Sequence, residues 1–153
     1  MSDECIVEKC KASWDEEFIP PKKNSDNCSG FAKAVAAKLG VTLPNVQADG
    51  IVEYISGNWT KLDSGAEAAK EAGLGYLVIA GLKGADHTPA RSSGHVAIVV
   101  TGRLYLGKYP LCWGGSTGVA QSRGDKSTGE VWARSDRNNV EYYAYKTAQV
   151  CKA

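Results

Sequence analysis

Residues 24–31 read Asn24-Ser25-Asp26-Asn27-Cys28-Ser29-Gly30-Phe31 and lead straight into a helical run, Ala32 to Leu39. Phe31, Ala34, Val35 and Leu39 recur at three- and four-residue steps, and Gly40 stands where a helix C-cap belongs. Asn24, Ser25, Asp26 or Asn27 is available as N-cap. The stretch predicts a helix that starts at a cysteine. Backbone N–H groups at such a start favour a thiolate, as does a nearby imidazolium, and the thiolate is the form that attacks carbonyl carbon.

Far downstream, Gly94-His95 opens an apolar run, His95-Val96-Ala97-Ile98-Val99-Val100, which Thr101-Gly102 ends and which reads as a strand. A cysteine at a helix start and a histidine at a strand start are the nucleophile and base of a thiol hydrolase, provided the fold packs that helix on that sheet. Val96, Ile98 and Val100 would anchor one face while the His95 ring points into a groove. The N–H of Cys28 and a donor from the preceding loop are the candidate oxyanion donors. Both residues also have plainer uses, the cysteine as a small buried apolar side chain and the histidine as a structural one. His87, in the polar loop Gly81 to Ser93 with Pro89 and Arg91, is expected to be exposed and receives no role.

Working outward, Cys5, Ile6, Cys10 and Trp14 fall at helical spacing and predict a short amphipathic helix over 4–14, ended before Pro20-Pro21. Ala48 to Trp59 also reads as helix, and Ser64-Gly65-Ala66-Glu67 fits a capping box ahead of an alanine-rich helix over 65–72. Tyr76-Leu77-Val78-Ile79-Ala80 is a buried strand, and Tyr109 to Trp113, Glu130 to Ala133 and Glu141 to Lys146 are further strand candidates. Helices first and a mainly antiparallel sheet after them make an α+β fold. Gly114-Gly115-Ser116-Thr117-Gly118 lacks the Gly-Lys-Ser/Thr ending of a phosphate loop and reads as a flexible loop.

The 153 residues fit one domain, 1–153, with a real core. Lys and Arg number 18 against 17 Asp and Glu, so there is no basic excess to hold a nucleic acid. Met1-Ser2-Asp3-Glu4-Cys5 has no basic region followed by an apolar one, and no window approaches a membrane span, so neither a Sec-type signal nor membrane insertion is expected. Five cysteines are many for a reducing compartment, and a staple between Cys5 and Cys151 would tie the two chain ends together; five unpaired thiols remain the other reading. No CxxC pair occurs, so no metal or other cofactor is expected, and no Gly-x-Ser-x-Gly elbow points to a serine hydrolase.

Several blocks in the same order resemble the type VI secretion amidase effectors of family one. They are Asp26 to Phe31, Trp59-Thr60-Lys61-Leu62, Ser64 to Ala69, Leu77 to Gly84, Gly94-His95-Val96-Ala97, Lys108-Tyr109-Pro110, Cys112-Trp113, Val131-Trp132 and Asp136-Arg137. The resemblance implies a papain-like, NlpC-type cysteine peptidase, with Cys28 as nucleophile and His95 as general base and then acid. It further implies hydrolysis of peptidoglycan stem peptides between D-glutamate and meso-diaminopimelate in the periplasm of a rival cell. Delivery by a type VI secretion apparatus, a cognate immunity protein over the groove and a Cys5–Cys151 disulfide follow from the same resemblance, while nothing in the sequence suggests more than a monomer. Cys10 and Cys112 are left unassigned by it. It places the third, imidazole-orienting element near Cys112-Trp113-Gly114, but where relatives can carry a cysteine this chain has Gly114, which leaves a backbone carbonyl of this stretch or a simple dyad. The loop 85–93 looks longer than in close relatives and immediately precedes His95. Two other readings share the frame: a cell-wall-binding module without turnover, suggested by Gly114, and an amidase that cuts the D-Ala crosslink.

Overall fold

Asn27 is the N-cap that starts the cysteine helix: its Oδ1 accepts from the Gly30 N–H and the Ser29 hydroxyl, each at 3.0 Å. The computed structural model describes residues 2–116 and 120–151. Its helices are α1 (Glu4–Trp14), α2 (Cys28–Lys38), α3 (Ala48–Asn58), α4 (Gly65–Gly73) and the single turn α5 (Thr128–Val131). Its strands are β1 (Glu17–Ile19), β2 (Lys22–Lys23), β3 (Thr60–Leu62), β4 (Leu77–Leu82), β5 (His95–Val99), β6 (Leu111–Gly114), β7 (Ser122–Ser127) and β8 (Glu141–Tyr145). β1 and β2 form a small hairpin; the other six make one antiparallel sheet in the order β3-β8-β4-β5-β6-β7. The expected α+β arrangement is what the chain adopts.

The central strands are covered on both faces, which is why β4 and β5 read as continuous apolar runs although they are antiparallel. Leu77, Ile79, Val96, Ile98 and Val100 pack with Ile6, Trp14, Phe31, Val35, Ile51 and Ile55 from α1, α2 and α3. Val78, Ala80, Leu82, Ala97 and Val99 face the other way, toward Ala68 and Ala72 of α4 and toward Trp132 and Tyr142. Strand alternation thus sends successive residues of β5 to two different cores.

The strand expected over Glu130 to Ala133 is instead α5 and its exit. Ser127 N and Oγ both donate to Glu130 Oε1, at 3.1 and 3.0 Å, so Ser127-Thr128-Gly129-Glu130 uses the capping-box chemistry that nucleates a turn. At α4 the expected cap also forms, with Ser64 Oγ accepting from Glu67 N at 3.1 Å, while Glu67 reaches one residue further back, to Asp63 N. The edge strands β3 and β7 carry no strong strand composition. β7 is Ser-Arg-Gly-Asp-Lys-Ser, held by its pairing with β6, and its charges suit an edge that must not recruit another strand.

Cys5 and Cys151 are disulfide-bonded, their Cα atoms 5.6 Å apart across a separation of 146 residues. The C-terminal segment is also held by Gly75, whose carbonyl accepts from Val150 N and Cys151 N at 2.8 and 3.0 Å. Gly75 has φ +91°, and a Cβ there would lie 2.3 Å from the Cys151 carbonyl oxygen, so only glycine fits. Among the described residues no helix is long and apolar enough to cross a membrane. Of the glycine-rich loop, Gly114 closes β6 and Ser116 N donates to Ser25 O at 2.9 Å; Thr117 and Gly118 lie outside the described residues.

Candidate active site

A groove of about 710 Å³ runs between the start of α2 and the start of β5. Cys28 and His95 both line it, together with Asn27, Lys33, Arg91 and Ser116, and Phe18, Ile19 and Val46 stand at its rim. These three are among the exposed large apolar side chains of the molecule, a composition that suits a docking rim. A second concavity of about 800 Å³, between Lys61, Ser64, Lys108 and Arg137, contains neither cysteine nor histidine.

Two anchors set the position of Cys28. The Asn27 cap fixes the first turn of α2, and the loop before it is tied to the segment that leads into β7, where Ser25 O accepts from Gln121 Nε2 at 2.7 Å. Burial pushes the Cys28 thiol up from its ordinary range; hydrogen bonds from the N–H groups of Val96, Ser29 and Cys28 itself, and then the Arg91 charge, pull in the opposite direction. His95 is buried beneath Trp132, the two rings edge to face with centroids 5.0 Å apart. Burial, and then the charges of Arg91 and His87, push its imidazole down to about 4. The resting pair is therefore a neutral thiol beside a neutral imidazole, where the sequence suggested a thiolate and an imidazolium: desolvation outweighs the helix terminus.

The approach to His95 is equally constrained. Leu82 pairs with His95 across β4 and β5. A Cβ on Gly94 would lie 2.4 Å from Leu82 O and 2.5 Å from Asp49 Oδ1, so the chain can pass this point only without a side chain. Asp49 Oδ1 accepts from Gly84 N at 2.9 Å and pins the start of the loop that returns to His95.

Cys112 sits opposite Val99 and not beside His95. Its carbonyl accepts from Ser122 Oγ at 2.7 Å, and burial pushes its thiol up to about 12. Gly114 lies against the backbone of Val96 and Ala97 and brings no side chain to the site. Cys10 is wholly buried, and burial raises its thiol strongly as well.

His87 corrects an expectation. It is 4% exposed, not solvated, because its ring Nδ1 lies 2.9 Å from Lys83 O and its neighbour Thr88 donates to Asp136 Oδ1 at 2.7 Å. No local pattern in Asp86-His87-Thr88-Pro89 announces this; the burial depends on partners from the end of β4 and from the segment after Trp132.

No protein-family model matches the chain. Among curated proteins, it is 52% identical over 148 residues to the peptidoglycan amidase Tse1 of Pseudomonas aeruginosa, an alignment that covers 95% of this chain and 92% of that protein.

Proposed function

We infer function from kinship and site together: the chain belongs to the peptidoglycan amidase family of Tse1. It is an amide hydrolase of peptidoglycan, with Cys28 as nucleophile, residues 1–153 forming a single catalytic domain of the papain-like, NlpC type. The observation that carries the reading is the placement of Cys28, at a capped helix start, and His95, at a strand start, on one groove in a chain with this identity to an amidase.

In the reaction, the Cys28 Sγ–H proton passes to His95 Nδ1 as Sγ attacks the amide carbon, because the resting pair is neutral. The Cys28 N–H is positioned by α2 to donate to the developing oxyanion. Collapse breaks the C–N bond, the amine departs with the proton from His95, and a thioester remains on Cys28. Water, deprotonated by His95, then releases the acid and restores the thiol.

The bond cut is the γ-D-glutamyl–meso-diaminopimelate amide of the stem peptide, whose free carboxylates suit the Arg91 and Lys33 cations lining the groove. The protein reaches the recipient periplasm by a type VI secretion apparatus, and a cognate immunity protein covers the apolar rim at Phe18, Ile19 and Val46. A Cys5–Cys151 disulfide suits that oxidising compartment.

Mass spectrometry of fragments released from diaminopimelate-type sacculi tests this directly. Wild type yields new fragments ending at D-glutamate and Cys28→Ala yields none. Fragments cut at D-alanine would move the activity to the crosslink, and intact sacculi bound by both proteins would make the chain a binding module.

A further inference from the structure

His95 has a ring nitrogen with nothing to hold it. If Nδ1 serves Cys28, the neutral base must carry its proton on Nε2, and Nε2 is buried without a hydrogen-bond partner. Gly114 offers no side chain, and the Cys112 carbonyl is taken by Ser122. A buried N–H left unpaired is destabilising, and a base whose ring is not oriented loses its productive tautomer.

A second buried nitrogen has the complementary need. His87 Nδ1 is within 2.9 Å of Lys83 O, a carbonyl that can only accept, so the ring carries its proton on Nδ1 and its Nε2 is a bare lone pair. That Nε2 is also buried and has no partner. Two independent links bring together the segments that carry the rings. Lys83 follows Leu82, the residue paired with His95 across the sheet. Thr88, next to His87, is tied by its N–H to Asp136 and by its carbonyl to Ser135 Oγ, in the segment whose Trp132 packs on His95.

We propose that His87 is the positioning residue for His95, its Nε2 accepting the His95 Nε2–H across one buried water. The loop ahead of β5 thereby supplies the orienting group that the Gly114 strand lacks. The chain is Lys83 O to His87 to His95 to Cys28, with each tautomer set by the carbonyl at the far end. This rests on the reading of Cys28 and His95 as nucleophile and base, and adds to it the source of the third element. The influence of His87 on the His95 protonation is consistent with that proximity.

The test begins on the unmodified protein. With only two histidines, long-range proton–nitrogen NMR correlations read both tautomers without ambiguity. His87 is expected as the Nδ1–H form and His95 as the Nε2–H form; a proton on His87 Nε2 overturns the proposal. Two variants then separate positioning from packing. His87→Gln keeps an oxygen acceptor near the place of Nε2, whereas His87→Phe fills the space without one. His87→Phe is expected to lower kcat on the order of 10², with KM changed by no more than about two-fold, and His87→Gln to recover most of that loss. The figure is below the roughly 10⁴ seen when a triad's charged carboxylate is removed, because the acceptor here is a ring lone pair and not a carboxylate. Equal kcat values for the two variants at equal thermal midpoints make His87 merely structural. Should wild type fail to release fragments, the amidase reading falls while the tautomers still decide the link between the rings; should His87→Phe fail to fold, the tautomers decide alone.

Discussion

Cys28 and Cys112 are both thiols that burial pushes upward, yet they stand in opposite surroundings. Around Cys28 the nearest polar groups are donors: the N–H groups of Val96, Ser29 and Cys28, with the Arg91 charge beyond them. At Cys112 the thiol itself donates to the Lys126 carbonyl at 3.7 Å, and although the Ser122 hydroxyl pulls it down, the Asp125 and Glu130 carboxylates push it up. Donors stabilise sulfur as it gains negative charge, whereas an acceptor holds the proton in place. Burial alone thus does not set the two thiols apart; the groups reaching each sulfur do, N–H donors and a cation at Cys28 against a carbonyl acceptor and two carboxylates at Cys112.

The sharpest way to break that contrast is to exchange the thiols' fates. Cys28→Ala is expected to lower fragment release by on the order of 10⁴ or more, and Cys112→Ala by no more than a few-fold. Iodoacetamide should label Cys28 in the folded protein and leave Cys112 unmodified until unfolding. Peptide mapping that finds Cys112 labelled first would overturn the comparison.

The paired cysteines extend it, since they act on stability and not on chemistry. Replacing Cys5 and Cys151 by serine is expected to cost roughly 5 kcal/mol, the chain-entropy value for so long a loop, with kcat per folded molecule unchanged. Denaturant unfolding with and without reductant measures it, and a change in kcat that exceeds the loss of folded protein would tie the staple to the groove.

The buried His95 imidazole predicts an acid weakness. His95 is pushed down to about 4 in the folded chain, against an ordinary 6.5 when unfolded. The unfolded state then binds more protons between these values, so stability is fully present above pH 6.5 and is lost as pH falls through 4. The loss reaches roughly 3 kcal/mol. His95→Gln should flatten this part of the stability-against-pH curve; parallel curves for variant and wild type would show that His95 does not contribute.

The smallest expected effect concerns the donors themselves. Asn27→Ala removes the cap that orders the first turn of α2 and is expected to cost about 1 kcal/mol. Because the same turn aims N–H groups at Cys28, the variant should also alkylate more slowly at a given pH. Unchanged alkylation would mean that the turn holds its shape without its cap.

Much of this molecule is written locally. The α2 periodicity and its asparagine cap, the Ser64 start of α4 and the apolar runs of β4 and β5 are short-range patterns, and Cys28 and His95 stand out because they sit at the starts of two such elements. Charge balance and the lack of a long apolar run are likewise legible without any fold. Other features have no local cause. β7 is a strand because β6 pairs with it. His87 is buried because Lys83, Asp136 and the Trp132 segment converge on it from separate parts of the chain. Sequence determines what a segment prefers when its neighbours along the chain decide the matter. Which thiol meets donors and which imidazole loses its water depend on groups brought together from far apart, and there the tertiary structure alone decides, because desolvation and hydrogen-bond pairing are properties of the place and not of the residue.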